Sequence, residues 1–136
     1  MATTAEDVRR LFENSPFFQF IGFQVKRFEE GDVILELPVR DELLNVNQTL
    51  HGGVYASLLD TVIGLTIRSI VKQPLATINM HIHYFAPVRE GKLVAKANVI
   101  QHGYRIVSAE GEIADEEGRL LAKGMATFKV LRNQHK

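Results

Sequence analysis

Residues 51–71 read His-Gly-Gly followed by a run in which Asp60 and Arg68 are the only charged side chains. If that run is helical, apolar residues fall on every side of it: Val54, Ala56, Leu58, Leu59, Val62, Ile63, Leu65, Ile67 and Ile70 leave no polar stripe. A helix that is hydrophobic all round has to be enclosed by other structure. The glycines open it, and Lys72-Gln73-Pro74 closes it, because a proline disfavours helical geometry in the residue before it. A bilayer is a poor enclosure for this run. Two charges and several hydroxyls interrupt it, and at about 1.5 Å per residue it is marginal for a hydrocarbon core of roughly 30 Å. The rest of the chain must supply the cover, and no membrane partner is expected.

That cover reads as strands. Residues 76–85 alternate, which assigns Thr77, Asn79, His81, His83 and Phe85 to one face and Ile78, Met80, Ile82 and Tyr84 to the other. In 92–101, Leu93, Ala95, Ala97 and Val99 oppose Val94, Lys96, Asn98 and Ile100, and His102-Gly103 makes a corner. Residues 105–114 lead to the acidic turn Asp115-Glu116-Glu117-Gly118, 119–131 form a last strand, and 132–136 read as a solvated tail. Upstream, residues 22–39 form a hairpin: Phe23, Val25 and Arg27 alternate with Gln24, Lys26 and Phe28, Glu30-Gly31-Asp32 turns, and Val33, Leu35, Leu37 and Val39 line the return. Pro38 lacks a donor and belongs at a strand end or edge. Residues 40–50 have no period and form a loop.

At the start, Thr3 or Thr4 caps a short helix with Glu6 or Asp7 as reciprocal partner, and Val8, Leu11 and Phe12 form its stripe. Asn14-Ser15-Pro16 ends it, and Phe17, Phe18, Phe20 and Ile21 make an aromatic cluster assigned to core packing. The element order implies an α+β architecture in a single domain, 1–136. A curled antiparallel sheet of about six strands wraps one long buried helix, with a short N-terminal helix added. The other sheet face is partly apolar, so a second copy of the chain is expected as partner.

Composition removes whole classes of function. The net charge of +0 offers nothing to nucleic acid or an anionic membrane. The absence of cysteine excludes disulfide frameworks, thiolate zinc sites and Cys nucleophiles. No phosphate-cradling glycine loop, nucleophile elbow or dinucleotide fingerprint occurs, so no cofactor is expected. His81 and His83 share a face, but a zinc site needs a further ligand that the nearby sequence lacks, so no metal is expected either. Ser57, Thr61 and Ser69 sit in the helical run, where a hydroxyl tends to bond back to a carbonyl. The first seven residues carry acids and no apolar run, which fits neither a secretory signal nor a transit peptide and leaves the cytoplasm as the expected setting.

The candidate chemistry centres on Asp60 and the glycines. An isolated carboxylate among apolar neighbours has to be paired, hydrogen-bonded or used. At a helix start, glycines let a ligand approach the backbone, and the free N–H groups of the first turn carry the positive end of the helix dipole. That combination polarises a carbonyl. Asp60 lies about 13 Å further along the same helix at roughly 1.5 Å per residue, too far to act on that carbonyl. The two groups therefore have to meet across subunits, as antiparallel helices in a two-fold dimer would allow.

His51-Gly52-Gly53, Asp60, Asn45 upstream, and the strand Thr77-Ile78-Asn79-Met80-His81-Ile82-His83-Tyr84 ending in Phe85-Ala86-Pro87 together resemble the hotdog-fold acyl-CoA thioesterases of the phenylacetate-pathway and 4-hydroxybenzoyl-CoA type. The similarity spans 17–131. It implies hydrolysis of an acyl-CoA thioester to free acid and CoA by a homodimer that pairs into a homotetramer, CoA being part of the substrate. In such enzymes the amide matching Gly52 binds the thioester carbonyl, and the acid matching Asp60 arrives from the other subunit as general base or nucleophile. Asn45 and Thr77 match positions that place the water or nucleophile, and His51 matches a histidine that braces the loop. Gly53 lies beside the substrate, and Arg89, Lys92, His102 and Arg105 are candidates for the CoA phosphates. This sequence departs from some relatives at Gly64, where they keep a hydroxyl one turn after the acid, so Thr77 or Asn45 has to replace it. A hydratase or dehydratase of acyl thioesters, and a non-catalytic acyl-CoA-binding protein, are the two other functions compatible with the residues.

Overall fold

The computed structural model describes residues 3–132; of the expected tail over 132–136, residues 133–136 lie outside them. Helix α1 (Ala5–Glu13) begins with a capping box. Thr4 Oγ1 accepts from the Asp7 amide, and Asp7 accepts from the Thr4 amide. Such a cap is worth about 1 kcal/mol. A second helix follows, α2 (Pro16–Ile21), where the sequence suggested only an aromatic cluster. Pro16 stands in its first turn, Gly22 ends it in the left-handed region at φ 99°, and the Arg40 guanidinium donates to the carbonyls of Phe20 and Ile21. Proline inside the start and glycine past the end are stop signals that survive even in six residues.

The hairpin is β1 (Gln24–Glu29) and β2 (Asp32–Pro38), with Pro38 at a strand end. One 3-10 turn, Asp41–Leu43, lies in the expected loop before the long helix α3 (Gly52–Val71). Strands β3 (Leu75–Tyr84), β4 (Lys92–His102), β5 (Ile106–Ala114) and β6 (Leu120–Val130) complete one sheet in the order β1-β2-β4-β5-β6-β3. Each pair of neighbouring strands in it is antiparallel. This is the α+β hotdog architecture that the resemblance implied. β1 and β3 are its edges.

The sheet can curl round α3 because its centre is nearly bare. Gly111 pairs with Gly124 and with Ala97, and Ala95, Ala109, Ala122 and Ala126 surround them, all buried. A Cβ on Gly111 would stand 2.9 Å from Ile63 Cγ1, and one on Gly124 would stand 2.8 Å from the His81 carbonyl and 3.2 Å from Leu59 Cδ1. Those glycines let the helix backbone approach the strands. Leu58, Leu59, Val62, Ile63, Leu65 and Ile67 have no exposed surface, so the apolarity of α3 belongs to the core of this domain.

Two strands depart from simple alternation for the same reason. In β3, Thr77 pairs with Phe128 while Asn79 pairs with Thr127, so Ile78 is an extra, bulged residue. Neighbouring partners on β6 face opposite ways, and Thr77 is therefore turned to the helix side with Met80, Ile82 and Tyr84, away from Asn79, His81 and His83. The even alternation expected from sequence put Thr77 on the wrong side. In β1 the shift falls between Val25 and Arg27, which sends Arg27 outward to pair with Asp32 at 2.6 Å and brings Phe28 opposite buried Val33.

Candidate active site

The head of α3 is held by short-range contacts that leave one donor over. The His51 amide donates to the Leu43 carbonyl, the Gly53 amide to His51 Nδ1 at 2.7 Å, and the Val54 amide to the His51 carbonyl. Among the described residues, the Gly52 N–H has no acceptor. His51 thus caps the helix with its ring nitrogen. Because Nδ1 accepts, the neutral ring carries its proton on Nε2. A Cβ at residue 53 would meet that ring at 3.0 Å, so Gly53 is what lets the imidazole fold back on the helix.

Asn45 shapes the turn before the helix. Its Oδ1 accepts from the amides of Asn47 and Thr49 and from Thr49 Oγ1, at 2.9, 3.1 and 3.3 Å. Two backbone donors identify that atom as the oxygen, so only Nδ2 is left to face a substrate or water. Gln48 takes the left-handed conformation at φ 63°, and its carbonyl accepts from Arg89.

The helix head opens onto a cleft of about 280 Å³ lined by Leu50, Gly52, Tyr55, Tyr84, Phe85, Ala86 and Pro87. Tyr55 donates to the Ala86 carbonyl at 3.0 Å and meets the Tyr84 ring edge-on at 5.6 Å. Tyr84 donates to the Gly52 carbonyl at 3.1 Å. This role of Tyr84 is not visible in the sequence, since the contact joins residues 32 positions apart.

Asp60 lies elsewhere, two turns down the helix. It is half-buried, and the Thr77 hydroxyl donates to its Oδ1 at 3.1 Å. The bulge at Ile78 makes that contact possible, by turning Thr77 inward. Burial pushes the Asp60 carboxyl above its ordinary value, and the Thr77 hydrogen bond draws it partly back. Gly64, one turn on, faces the edge of the Phe128 ring, which a Cβ there would meet in ordinary contact at 3.8 Å. Thr77, from the strand, puts a hydroxyl beside Asp60 where the helix has none.

One chain therefore separates the predicted residues into groups. Asn45, His51, Gly52, Gly53 and Arg89 gather at the head of α3. Asp60 and Thr77 form a pair partway along it. Lys92 starts β4 and pairs with Glu36 at 3.3 Å. His102 and Arg105 flank the β4–β5 turn at the far end, where His102 adjoins Ile67, Ile70 and Val71. His81 and His83 lie exposed on the outer side of β3, and no group of three or more His, Asp or Glu suited to a metal occurs among the described residues.

A curled antiparallel sheet around one long buried helix defines the class of fold, a hotdog domain. The thioesterase superfamily matches residues 47–122, more than half of the 136, and the chain belongs to that family. A provisionally named esterase of Halobacterium salinarum is 30% identical over 139 aligned positions, covering 93% of this chain and 91% of that one. Acyl-coenzyme A thioesterase 13 of Pongo abelii is 30% identical, with 71% of each chain covered. Among solved structures, the PaaI protein from the phenylacetic acid degradation operon of Escherichia coli superposes with a TM-score of 0.87 at 21% identity, covering 93% of this chain and 91% of that one, a likeness of fold. Family and names together support thioester hydrolysis.

Proposed function

We propose that the chain hydrolyses acyl-CoA thioesters as a homodimer, with Gly52 of one protomer and Asp60 of the other completing each site. The observation that carries this reading is the Gly52 N–H, which alone among its neighbours lacks an acceptor and opens on a cleft at the positive end of α3. It takes the thioester oxygen and stabilises the negative charge that develops there. Asp60 acts on the carbonyl carbon. As a base it takes a proton from water while the hydroxide adds; the C–S bond then breaks and the CoA thiolate recovers that proton. As a nucleophile it adds to the carbonyl carbon, the C–S bond breaks and the CoA thiolate leaves as a mixed anhydride forms; water then cleaves the anhydride, which frees the acid, restores the Asp60 carboxylate and returns a proton to the thiolate. In both routes Thr77 holds Oδ1 and leaves the other carboxylate oxygen to work. Asn45 contributes Nδ2 as a donor, its oxygen being engaged in the turn. Arg89 and Lys92, near the helix head, and His102 and Arg105, at the other end, are offered to the CoA phosphates.

Strand β3 supports the two-chain reading. It is a ten-residue edge strand, and an unpaired edge is a template for another chain. Ile78, Tyr84 and Phe85, all more than half exposed, lie along it. Two such dimers would make the tetramer.

Asp60→Asn tests the proposal. In protein of unchanged assembly mass, thiol release from acyl-CoA should fall about 10²–10⁴-fold, the range of a lost acid–base group. Wild-type turnover in that variant would sink it. The same substitution should raise the melting temperature at neutral pH. Below the ordinary carboxylate range both folded and unfolded chains hold the proton, and Asp60 costs nothing. As the pH rises through the raised folded value, the unfolded chain has already released its proton and the native state loses stability.

A further inference from the structure

We infer that Tyr84 is a positioning residue that fixes the carbonyl-binding amide by clamping the peptide group between Gly52 and Gly53. This rests on the reading of the Gly52 N–H as the carbonyl donor. Two successive glycines are the least restrained start a helix can have, because neither carries a Cβ to limit its torsions. A donor that wanders by about 1 Å forfeits a large part of its effect, on the order of 10²-fold.

The structure removes that freedom from both sides of the Gly52 Cα. The preceding peptide is held at its oxygen, where the His51 carbonyl accepts from the Val54 and Tyr55 amides. The following peptide is held at both ends. Its oxygen accepts from the Tyr84 hydroxyl at 3.1 Å, and its N–H donates to His51 Nδ1 at 2.7 Å. A planar peptide fixed at both ends cannot rotate. The Gly52 N–H is then aimed by elimination, since the torsions on either side of its Cα are set.

Tyr84 is itself anchored. It ends β3 opposite buried Ala122, and its ring meets Tyr55 edge-on at an interplanar angle of 77°. The clamp therefore ties the head of the helix to the sheet. The ring also lies against Gly52, 3.6 Å from where a Cβ would stand, yet its hydroxyl is turned to the carbonyl oxygen.

Tyr84→Phe keeps the ring and removes the clamp. The substrates are hexanoyl-CoA and phenylacetyl-CoA, and the carbonyl-free probes are S-hexyl-CoA and S-phenethyl-CoA. The variant should lose about fivefold to tenfold in kcat, the scale of one net hydrogen bond, with KM within twofold. Its affinity for the matching thioether should equal that of wild type, because no carbonyl is present to misalign. Gly53→Ala, which pushes a Cβ against His51 at the other end of the same peptide, should show the same signature.

Unchanged kcat in Tyr84→Phe overturns the proposal whatever Gly53→Ala does, while a thioesterase that Asp60→Asn inactivates leaves the function standing. Equal weakening of substrate and thioether would make Tyr84 a mere wall of the cleft and would also overturn it. No thiol release from either substrate by the wild-type protein, or full activity in Asp60→Asn, removes the underlying reading and the clamp with it.

Discussion

The two ends of α3 are tied to the rest of the fold in different ways. At the finish, Lys72 adopts the left-handed conformation at φ 56° and returns its N–H to the Arg68 carbonyl. The Ser69 hydroxyl donates to the Thr66 carbonyl and accepts the Gly31 amide from the β1–β2 turn at 2.8 Å. Lys72 also reaches Glu30 of that turn. That end is stitched into the sheet. At the head, the ring of His51, the Asn45 turn and Tyr84 restrain everything around Gly52 but leave its N–H open. The finish is thus anchored to the β1–β2 turn through side chains, and the head is held around one open donor.

The comparison is broken most directly by removing that donor while keeping the helix. Gly52→Pro does so. Proline is tolerated at the first helical position, where the N–H has no intrahelical partner, and His51 already has the extended geometry that a following proline needs, with φ −63° and ψ 136°. The folded, assembled variant should lose about 10²–10³ in kcat, the effect of one missing oxyanion donor. Gly52→Ala keeps the N–H, and its Cβ would make ordinary contact with Tyr84 at 3.6 Å, so it should stay within about tenfold of wild type in a thiol-release assay. Equal losses in the two variants would show that space, and not the amide, is what residue 52 provides.

Much of this contrast was legible before any coordinates. All-round apolarity identified α3 as enclosed, period-two patterning with Glu30-Gly31-Asp32 marked the first hairpin, and Thr3 or Thr4 with Glu6 or Asp7 marked the cap of α1, which the structure builds from Thr4 and Asp7. Helix α2 was not legible, because six residues hold less than two turns of periodicity and its closing contact comes from Arg40, about twenty residues on. Asp60 and Gly52 stood out by chemistry and spacing. The hydrogen bond from Thr77 to Asp60 did not, since an even alternation turned Thr77 outward and only the bulge at Ile78 brings it in. Bulges are a matter of register between strands, and register belongs to two segments at once. The Tyr84 contact is hidden for the same reason.

The anchored end is tested by Ser69→Ala. The substitution strands the partly buried Gly31 amide and removes a hydrogen bond to Thr66, so it should destabilise the fold by about 1–3 kcal/mol in denaturant unfolding. Turnover should remain within twofold of wild type at temperatures where the variant is folded. A Ser69→Ala enzyme with normal stability and depressed kcat would reverse the roles assigned to the two ends.

The smallest effect concerns how Asp60 is tuned between those ends. Two influences oppose each other at its carboxyl: burial raises the proton affinity, and the Thr77 hydroxyl, by donating to Oδ1, favours the ionised form. Thr77→Val keeps the shape and removes the second influence. The acid limb of kcat/KM should then move to higher pH, because with burial alone acting on the carboxyl a higher pH is needed to ionise Asp60 in the free enzyme. On the alkaline side of that limb the variant should recover to within about fivefold of wild type, the scale of a single net hydrogen bond. A downward shift would mean that Thr77 stabilises the protonated acid. An unchanged limb accompanied by a large rate loss at every pH would place Thr77 on the water or the substrate instead of on the carboxylate, and the bulge at Ile78 would then aim a reacting contact.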